Sequence, residues 1–414
     1  MSRLLRVEAT IASLAPGGDG VAHVTLGGVR RAVFVPRAAP NDRLLADVDF
    51  SHRPARGRLL EVLAAGPERV TPPCPWSTPC GGCDWMHLSR AAQADGHVEH
   101  VRRALPARWR DREVHYREAP DALAHRCRAR VHVRCERGRV LVGMHQARSH
   151  RLVEVDRCAI MDPQLERARA SLAALFERSR GAGNVQLALG TNRVPVLDVT
   201  WSGDLAPAFF SQLERSVSAG ELAGARVRLG GANRPATVGD PTPWMTGGDG
   251  QPLRLPPGGF GQANERVNEM LVRHVAEQAA LWGDETAVEL YAGAGNLSVL
   301  LASPGPPNGG GELAVSRELV LVESSSEACD AARWNLAMRG LRARVVCAEA
   351  EEYSWSASVR LVVLDPPRTG ARAVAERLAL SRVAHVIYVS CDTPTLARDL
   401  GVLAGAYEPV SVTA

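Results

Sequence analysis

The strongest constraint on the fold is the alternation of short apolar runs with helical patterns over the last third of the chain. The runs Ala287 to Tyr291, Leu319 to Val322, Leu361 to Leu364 and His385 to Ser390, with a weaker one at Arg344 to Cys347, are strand-like and apolar on both faces. Helical stretches between them give the pattern of a parallel sheet with crossover helices. Ligand sites in such sheets form beyond the carboxyl ends of the strands. Three of those ends carry unusual residues: Gly293-Ala-Gly-Asn296, Asp365-Pro-Pro-Arg368 and Ser390-Cys391-Asp392. Ser303 to Glu318, containing Pro-Gly-Pro-Pro-Asn-Gly-Gly-Gly, reads as a surface insertion between the first helix and the second strand of this region.

The first sixty or so residues have a different texture. Strand-like runs at Arg6 to Leu14, Val21 to Leu26, Ala32 to Val35, Arg43 to Phe50 and Gly57 to Leu63 are punctuated by Gly17-Gly-Asp-Gly20, Gly27-Gly28 and Pro40-Asn-Asp42. Five short strands suggest a small OB-like barrel, a frequent single-strand nucleic-acid module, although many small barrels bind protein instead. Between lies a mixed region, with strands at Val131 to Val133 and Val196 to Trp201 and a helix over Pro163 to Ser179. The Gly/Pro-rich stretch Gly230 to Gly261 reads as a long loop that ends it. The expected architecture is therefore multidomain: a barrel over 1–63, an α+β central domain over 64–259, and an α/β Rossmann-like domain over 260–414.

With 414 residues, 45% of them hydrophobic, the composition is that of a globular protein, and no eighteen-residue apolar stretch or signal-peptide pattern occurs. A cytoplasmic protein without a membrane partner is the expectation. All 49 basic residues are arginine, so catalytic lysines and lysine-dependent phosphate loops are excluded. The net charge of +4 is compatible with a polyanionic partner without demonstrating one. In a reducing compartment, clustered cysteines call for a metal. Cys74, Cys80 and Cys83 form such a cluster, spaced C-x5-C-x2-C; an iron-sulfur cluster needs a fourth ligand, for which Cys158 is the best placed, and zinc is the competing metal. Cys127, Cys135, Cys329 and Cys347 lie in apolar runs and read as packed side chains.

The three strand ends carry separate chemistry. In Ala287-Val-Glu-Leu-Tyr-Ala-Gly-Ala-Gly-Asn296 the glycines allow close backbone approach to a ligand, and Glu323 at the next strand end can hold two ribose hydroxyls. Gly-x-Gly-Asn in place of Gly-x-Gly-x-x-Gly favours an adenosyl ligand without pyrophosphate and points to S-adenosylmethionine. The paired prolines of Leu364-Asp-Pro-Pro-Arg368 fix an extended loop that presents Asp365 and Arg368. Cys391, in Tyr388-Val-Ser-Cys-Asp-Thr-Pro-Thr395 before an expected helix from Thr395, is placed as a nucleophile if a helix N-terminus or an arginine favours its thiolate. Any one of these motifs alone would be an ordinary turn or a buried thiol.

Taken together, Cys74-x5-Cys80-Gly-Gly-Cys83, Phe260-Gly-Gln-Ala-Asn264, Glu289-Leu-Tyr-Ala-Gly-Ala-Gly-Asn296, Asp365-Pro-Pro-Arg368, Val389-Ser-Cys391 and Thr395-Leu-Ala-Arg-Asp399 resemble the RNA uracil-5-methyltransferase family. The likeness is to its iron-sulfur branch with an N-terminal TRAM barrel and a class I methyltransferase domain, and it covers almost the whole chain. It implies a [4Fe-4S] cluster on Cys74, Cys80, Cys83 and Cys158, and an S-adenosylmethionine pocket at Gln262, Tyr291, Asn296, Glu323 and Asp365, with Glu349 as an added adenine contact. It further implies Cys391 as the covalent nucleophile toward C6 of a uridine that Asp365 and Arg368 help to hold. The implied partner is RNA, ribosomal RNA before transfer RNA, and the implied state a monomer.

Two departures from the family pattern stand out. Asp392 follows the cysteine where the family has asparagine, placing a carboxylate beside the thiol, with Arg398 available to offset it. The family pattern also continues, beyond the equivalent of Ala414, into a Phe-Pro-x-Thr segment and a general-base glutamate, so the sequence reads as C-terminally truncated, with the last strand pair of its sheet missing. The rival readings are a methyltransferase for another base and a non-catalytic RNA-binding iron-sulfur protein.

Overall fold

The computed structural model describes residues 4–231, 234–283, 285–303 and 317–414. Nearly all of the expected insertion at Ser303 to Glu318 lies outside them. Strands β1 (Leu4–Leu14), β2 (Gly20–Leu26), β3 (Val29–Val35), β4 (Arg43–Asp49) and β5 (Ala55–Ala64) form a closed barrel in the order β1-β2-β3-β5-β4. Antiparallel pairing turns parallel only where β3 meets β5, at Val33 with Ala55 and Phe34 with Arg56. Ile11, Val33, Val35, Leu44 and Val48 alternate inward and fill the barrel. Helix α1 (Arg90–Ala104) follows, capped by the Ser89 side chain on the Ala92 N–H.

The next unit is a seven-stranded sheet built from β6 (Arg128–Glu136), β7 (Arg139–His145), β8 (Leu152–Glu154), β9 (Arg180–Leu189), β10 (Pro195–Asp204), β11 (Gly224–Leu229) and β12 (Ala236–Gly239). The order is β12-β11-β10-β9-β6-β7-β8, and only β10 and β11 run parallel. Helices α2 (Pro163–Leu175) and α3 (Pro207–Ser218) cover one face. There Leu165, Leu172, Phe176, Phe209 and Leu213 bury Val131, Val133, Leu187, Val199 and Trp201. Strict alternation in β6 sends Arg128, Arg130, His132 and Arg134 to the opposite face.

The stretch expected as one loop, Gly230 to Gly261, holds three short strands: β12 on the sheet edge, and the hairpin of β13 (Trp244–Thr246) with β14 (Pro252–Arg254). Three- and four-residue strands among glycines and prolines are too short to show a period of two, and their pairing is fixed by tertiary contact. Asn335, fully buried, completes this packing by accepting from Arg254 N–H (2.8 Å) and donating to the Arg254 and Ala294 carbonyls (2.9 and 2.8 Å).

Helix α4 (Glu265–Ala280), N-capped by Asn264, leads into the parallel sheet of β15 (Ala287–Leu290), β16 (Leu319–Glu323), β17 (Arg344–Cys347), β18 (Leu361–Leu364) and β19 (His385–Tyr388), ordered β17-β16-β15-β18-β19. The crossover helices are α5 (Ser298–Leu301), α6 (Ser326–Ala337) and α7 (Arg372–Ala379), with α8 (Thr393–Leu403) after β19. Two cores flank the sheet, one around Val272, Val275, Leu321 and Leu336, the other around Val288, Val362, Val374 and Leu378. The last residues join the segment after α1: His115 N–H donates to Val412 O (2.9 Å), Ala414 N–H to His115 O (2.8 Å) and Arg117 N–H to Ala414 O (3.0 Å). Among the described residues no helix is long and apolar enough to cross a membrane.

Candidate active site

The carboxyl ends of β15, β16, β18 and β19 lie side by side, so the three motif loops share one rim of the sheet. After β15 the chain turns through Tyr291 (φ 60°), Gly293 (φ 54°) and Gly295 (φ 84°), left-handed conformations that two glycines adopt freely and that Tyr291 holds at a cost. Glu323, closing β16, grips this turn. Its Oε2 accepts from Gly293 N–H (2.9 Å) and its Oε1 from Ser325 N–H (2.8 Å). Asn296 exchanges two hydrogen bonds with the buried Asn268 of α4, at 2.7 and 3.0 Å, locking the turn to that helix. Tyr291 donates its hydroxyl to Glu351 (2.7 Å); burial, then that carboxylate, push its pKa above the ordinary phenol value.

Glu289 was quoted in the strand motif without a role, and the structure gives it one. It is 2% exposed in the middle of β15 and accepts from Ser298 Oγ at 2.5 Å. Burial pushes its carboxyl up to about 8 against the Ser298 hydrogen bond, with further upward push from the charges of Asp365 and Glu323. The three carboxyls therefore share one electrostatic environment beneath the glycine turn. Asp365, directly after β18, is pushed up to about 6 by burial. A glutamate inside an otherwise apolar parallel strand was the available signal.

The two remaining loops are bound to each other. Thr395 Oγ1 donates to Arg368 O (3.1 Å) and Arg398 donates to Thr369 O (2.8 Å). Asp399, fully buried, accepts from Ala371 N–H (2.7 Å), Tyr388 hydroxyl (2.7 Å) and Arg398 Nε (2.8 Å). Cys391 is exposed just before the cap of α8. Helix α8 starts at Thr393, not Thr395, because Asp392 is its N-cap, accepting at Oδ1 from the Thr395 N–H at 2.9 Å. Asp392 thus has its own partners, and Arg398 offsets Asp399 rather than Asp392, a correction to the sequence expectation.

Gln262 is half-buried two residues before the Asn264 cap, where Cys127 N–H donates to Ala263 O (2.8 Å) and fixes the strap. Beside it Phe260 is 75% exposed, an apolar side chain left toward solvent. Glu349 is exposed after β17 and its carbonyl starts a turn.

Cys74, Cys80, Cys83 and Cys158 are all free and half-buried. Arg37 of the barrel binds their loop through the carbonyls of Cys80 (2.9 Å), Cys83 and Asp84 (3.0 Å), and Trp76 Nε1 reaches Asp156 (2.5 Å), two residues before Cys158. Burial first, with the neighbouring Cys158, Cys80 and Cys74, pushes the Cys83 thiol up to about 11 despite Arg126 close by. Arg126 Nε is buried without a hydrogen-bond partner. Its charge acts on both Cys83 and Cys158, and a buried guanidinium nitrogen beside these two thiols suits an anionic cluster. The ligand set is nevertheless not preassembled: among the described residues no three His, Cys, Asp or Glu side chains are arranged to hold a metal ion. Cys80 Sγ instead accepts from Gly82 N–H at 3.4 Å within its own turn.

A glycine turn held by a strand-end carboxylate, with an exposed thiol two strands away, defines a methyltransferase-like site on a parallel sheet. The fold agrees with that of Pyrococcus abyssi tRNA (uracil-54, C5)-methyltransferase in complex with S-adenosyl-L-homocysteine, at a TM-score of 0.72 and 20% identity over 96% of this chain and 93% of that one. No family model matches the chain. It is 32% identical to the 23S rRNA (uracil(1939)-C(5))-methyltransferase RlmD of Chromohalobacter salexigens, over 94% of this chain and 82% of that protein. The same enzyme of Halomonas elongata is 33% identical, over 97% and 84%. The chain belongs to the RNA uracil-C5-methyltransferase family and is an RNA methyltransferase.

Proposed function

We propose that this enzyme methylates C5 of a uridine in 23S ribosomal RNA through a covalent bond between Cys391 and C6 of the base. The observation that carries the reading is the placement of Cys391, exposed at the end of β19 and tied through Thr395, Arg398 and Asp399 to the Asp365-Pro-Pro-Arg368 loop. The names of the RlmD relatives supply the ribosomal substrate. C5 of uracil is a poor nucleophile. Addition of the Cys391 thiolate to C6 pushes electrons onto C5 and O4, and C5 then takes the methyl group. Loss of the C5 proton to a base restores the double bond and expels the thiolate. S-adenosylmethionine supplies the electrophilic methyl group, and Gln262, Tyr291, Asn296, Glu323 and Asp365 are the residues proposed to hold it.

The surrounding side chains suit a base turned out of its stack. Phe260 offers a stacking face, and Asp365 and Arg368 can bond the uracil edge. We further assign a [4Fe-4S] cluster to Cys74, Cys80, Cys83 and Cys158 with a structural role, and a three-part layout of barrel (1–63), central domain (64–259) and methyltransferase domain (260–414). The test is incubation with S-adenosylmethionine labelled on its methyl group and 23S ribosomal RNA fragments, followed by nucleoside analysis. Label in 5-methyluridine is expected. Label in another nucleoside, or label in neither RNA nor a protein–RNA adduct from folded protein that binds S-adenosylhomocysteine, overturns the reading.

A further inference from the structure

Helices α2 and α3 cover only one face of the seven-stranded sheet, and the other face is polar, basic and open at its centre. At one end the strap before Phe260 crosses it: Arg128 donates to Gly259 O and Arg226 to Pro257 O, while Arg226 also reaches Glu327 of α6 (3.7 Å) beside the cofactor turn. The open face is thus continuous with the rim that holds Phe260 and Gln262. Further along it, Arg130 is exposed and makes no ion pair or side-chain hydrogen bond with any described residue, and Arg134 has only the exposed Glu136 at 3.9 Å.

Between these arginines the imidazoles of His132 and His145 stack at 3.4 Å between ring centroids and 10° between planes, with Asn184 opposite His132 on β9. They line a cavity of about 240 Å³, smaller than the roughly 300–1,000 Å³ of drug-sized ligand sites and suited to one flat ring. The position of the pair is fixed from outside the sheet, since Gly81 N–H of the cysteine loop donates to His145 O (2.9 Å). Burial, then the neighbouring rings and arginines, hold both imidazoles below the ordinary histidine pKa, so at neutral pH they present an uncharged π surface. A free guanidinium at Arg130 and a loosely paired one at Arg134, flanking a stacked aromatic pair, are what a single-stranded polynucleotide needs: cations for phosphates and a platform for a base.

We propose that this face, centred on Arg130, His132, Arg134, His145 and Asn184, docks a single-stranded RNA segment adjoining the target uridine. The arginines take its phosphates, and one base lies on the histidine pair. The proposal rests on the enzyme acting on RNA. The test measures binding of a fluorescein-labelled, uridine-containing single-stranded RNA to the full chain by fluorescence polarisation over a series of KCl concentrations.

For the double variant Arg130→Gln/Arg134→Gln, the slope of log K against log salt should fall in magnitude by about 1.4, at about 0.7 per single-strand phosphate contact. For His132→Ala/His145→Ala, affinity should fall by about fivefold or more with the slope unchanged. Both should bind S-adenosylhomocysteine as wild type does, which certifies the fold. Wild-type RNA affinity and slope in both variants, alongside 5-methyluridine formation by the wild-type enzyme, overturn the docking face alone and leave it to another partner. No RNA binding or methylation by the wild type overturns the RNA reading as well.

Discussion

Replacing Asp399 by Asn isolates the contact that binds the Asp365 loop to the Cys391 loop. Its two oxygens divide the work: Oδ2 takes Ala371 N–H and the Tyr388 hydroxyl, and Oδ1 takes Arg398 Nε. An asparagine keeps its carbonyl on Ala371 and Tyr388 only by turning its NH2 toward Arg398, so donor meets donor. One charge-assisted bond, worth about 1.5–3 kcal/mol, is lost, and the remaining two fall to neutral strength. Removing a partner from a buried ion pair costs roughly 3–5 kcal/mol, and the Arg398 side chain is 40% exposed, which puts the expected local cost near about 3 kcal/mol.

A chain with several separate cores does not unfold in one step, so native-state hydrogen exchange is the suitable assay. About 3 kcal/mol corresponds to roughly hundredfold faster exchange at the Ala371 amide and along α8. The pH dependence follows from the same contacts. Burial alone would raise the Asp399 pKa, but bonds from Arg398, Tyr388 and Ala371 outweigh it and hold the carboxyl below its ordinary value. A depressed carboxyl contributes fully above its unfolded pKa and loses that contribution as the pH falls, so the difference between wild type and Asp399→Asn should shrink below about pH 4. Unchanged exchange at Ala371 in the variant at neutral pH would refute the clamp.

Three further outcomes follow. Asn268→Ala leaves the Asn296 amide without its two partners, so S-adenosylhomocysteine should bind about tenfold more weakly by calorimetry, from about 1–3 kcal/mol per unsatisfied buried group; undiminished affinity counts against the lock between turn and helix. Glu289 carries a raised carboxyl pKa, so its protonated form is favoured by folding, and the stability it contributes is present below about pH 4 and declines as the pH rises toward about 8. Glu289→Gln, an isostere of that protonated form, should flatten the fall in the opening free energy of the β15 amides between pH 6 and 9, read by native-state hydrogen exchange, and a profile parallel to wild type would contradict the assignment. Anaerobic reconstitution with iron and sulfide should give a visible absorption band and protein-bound iron that Cys83→Ser loses; equal iron in the variant would remove Cys83 from the proposed cluster.

Much of this was legible in the sequence because apolar parallel strands that end in Gly, Pro and Cys motifs carry their own punctuation. The runs at Ala287, Leu319, Leu361 and His385 became β15, β16, β18 and β19, and the turns at Gly17 and Gly27 delimit barrel strands. What escaped depends on pairing between distant segments. β12, β13 and β14 are too short to show a period, and their strand character comes from β11 and from each other. The roles of Asp392 and Arg398 turned on which neighbour each side chain reaches, and both chose partners within or beside α8. The histidine pair was half visible: Arg-Ala-Arg-Val-His-Val-Arg-Cys-Glu over 128–136 alternates strictly, which marks one polar face, but nothing local places His145 on it. The cysteine spacing marked three thiols that the fold brings together with Cys158, without fixing where each sulfur points.

The central claim is that Cys391 bonds to C6 of the target uridine. The most direct measurement is anaerobic incubation of the enzyme with S-adenosylmethionine and 23S ribosomal RNA fragments carrying 5-fluorouridine, analysed by denaturing gel and mass spectrometry. Fluorine at C5 cannot leave as a proton does, so elimination is blocked and the covalent complex accumulates. The account predicts a methylated protein–RNA adduct whose attachment maps to Cys391 and which Cys391→Ala does not form. No adduct from folded protein that binds both cofactor and RNA, or an adduct that survives Cys391→Ala, would contradict it.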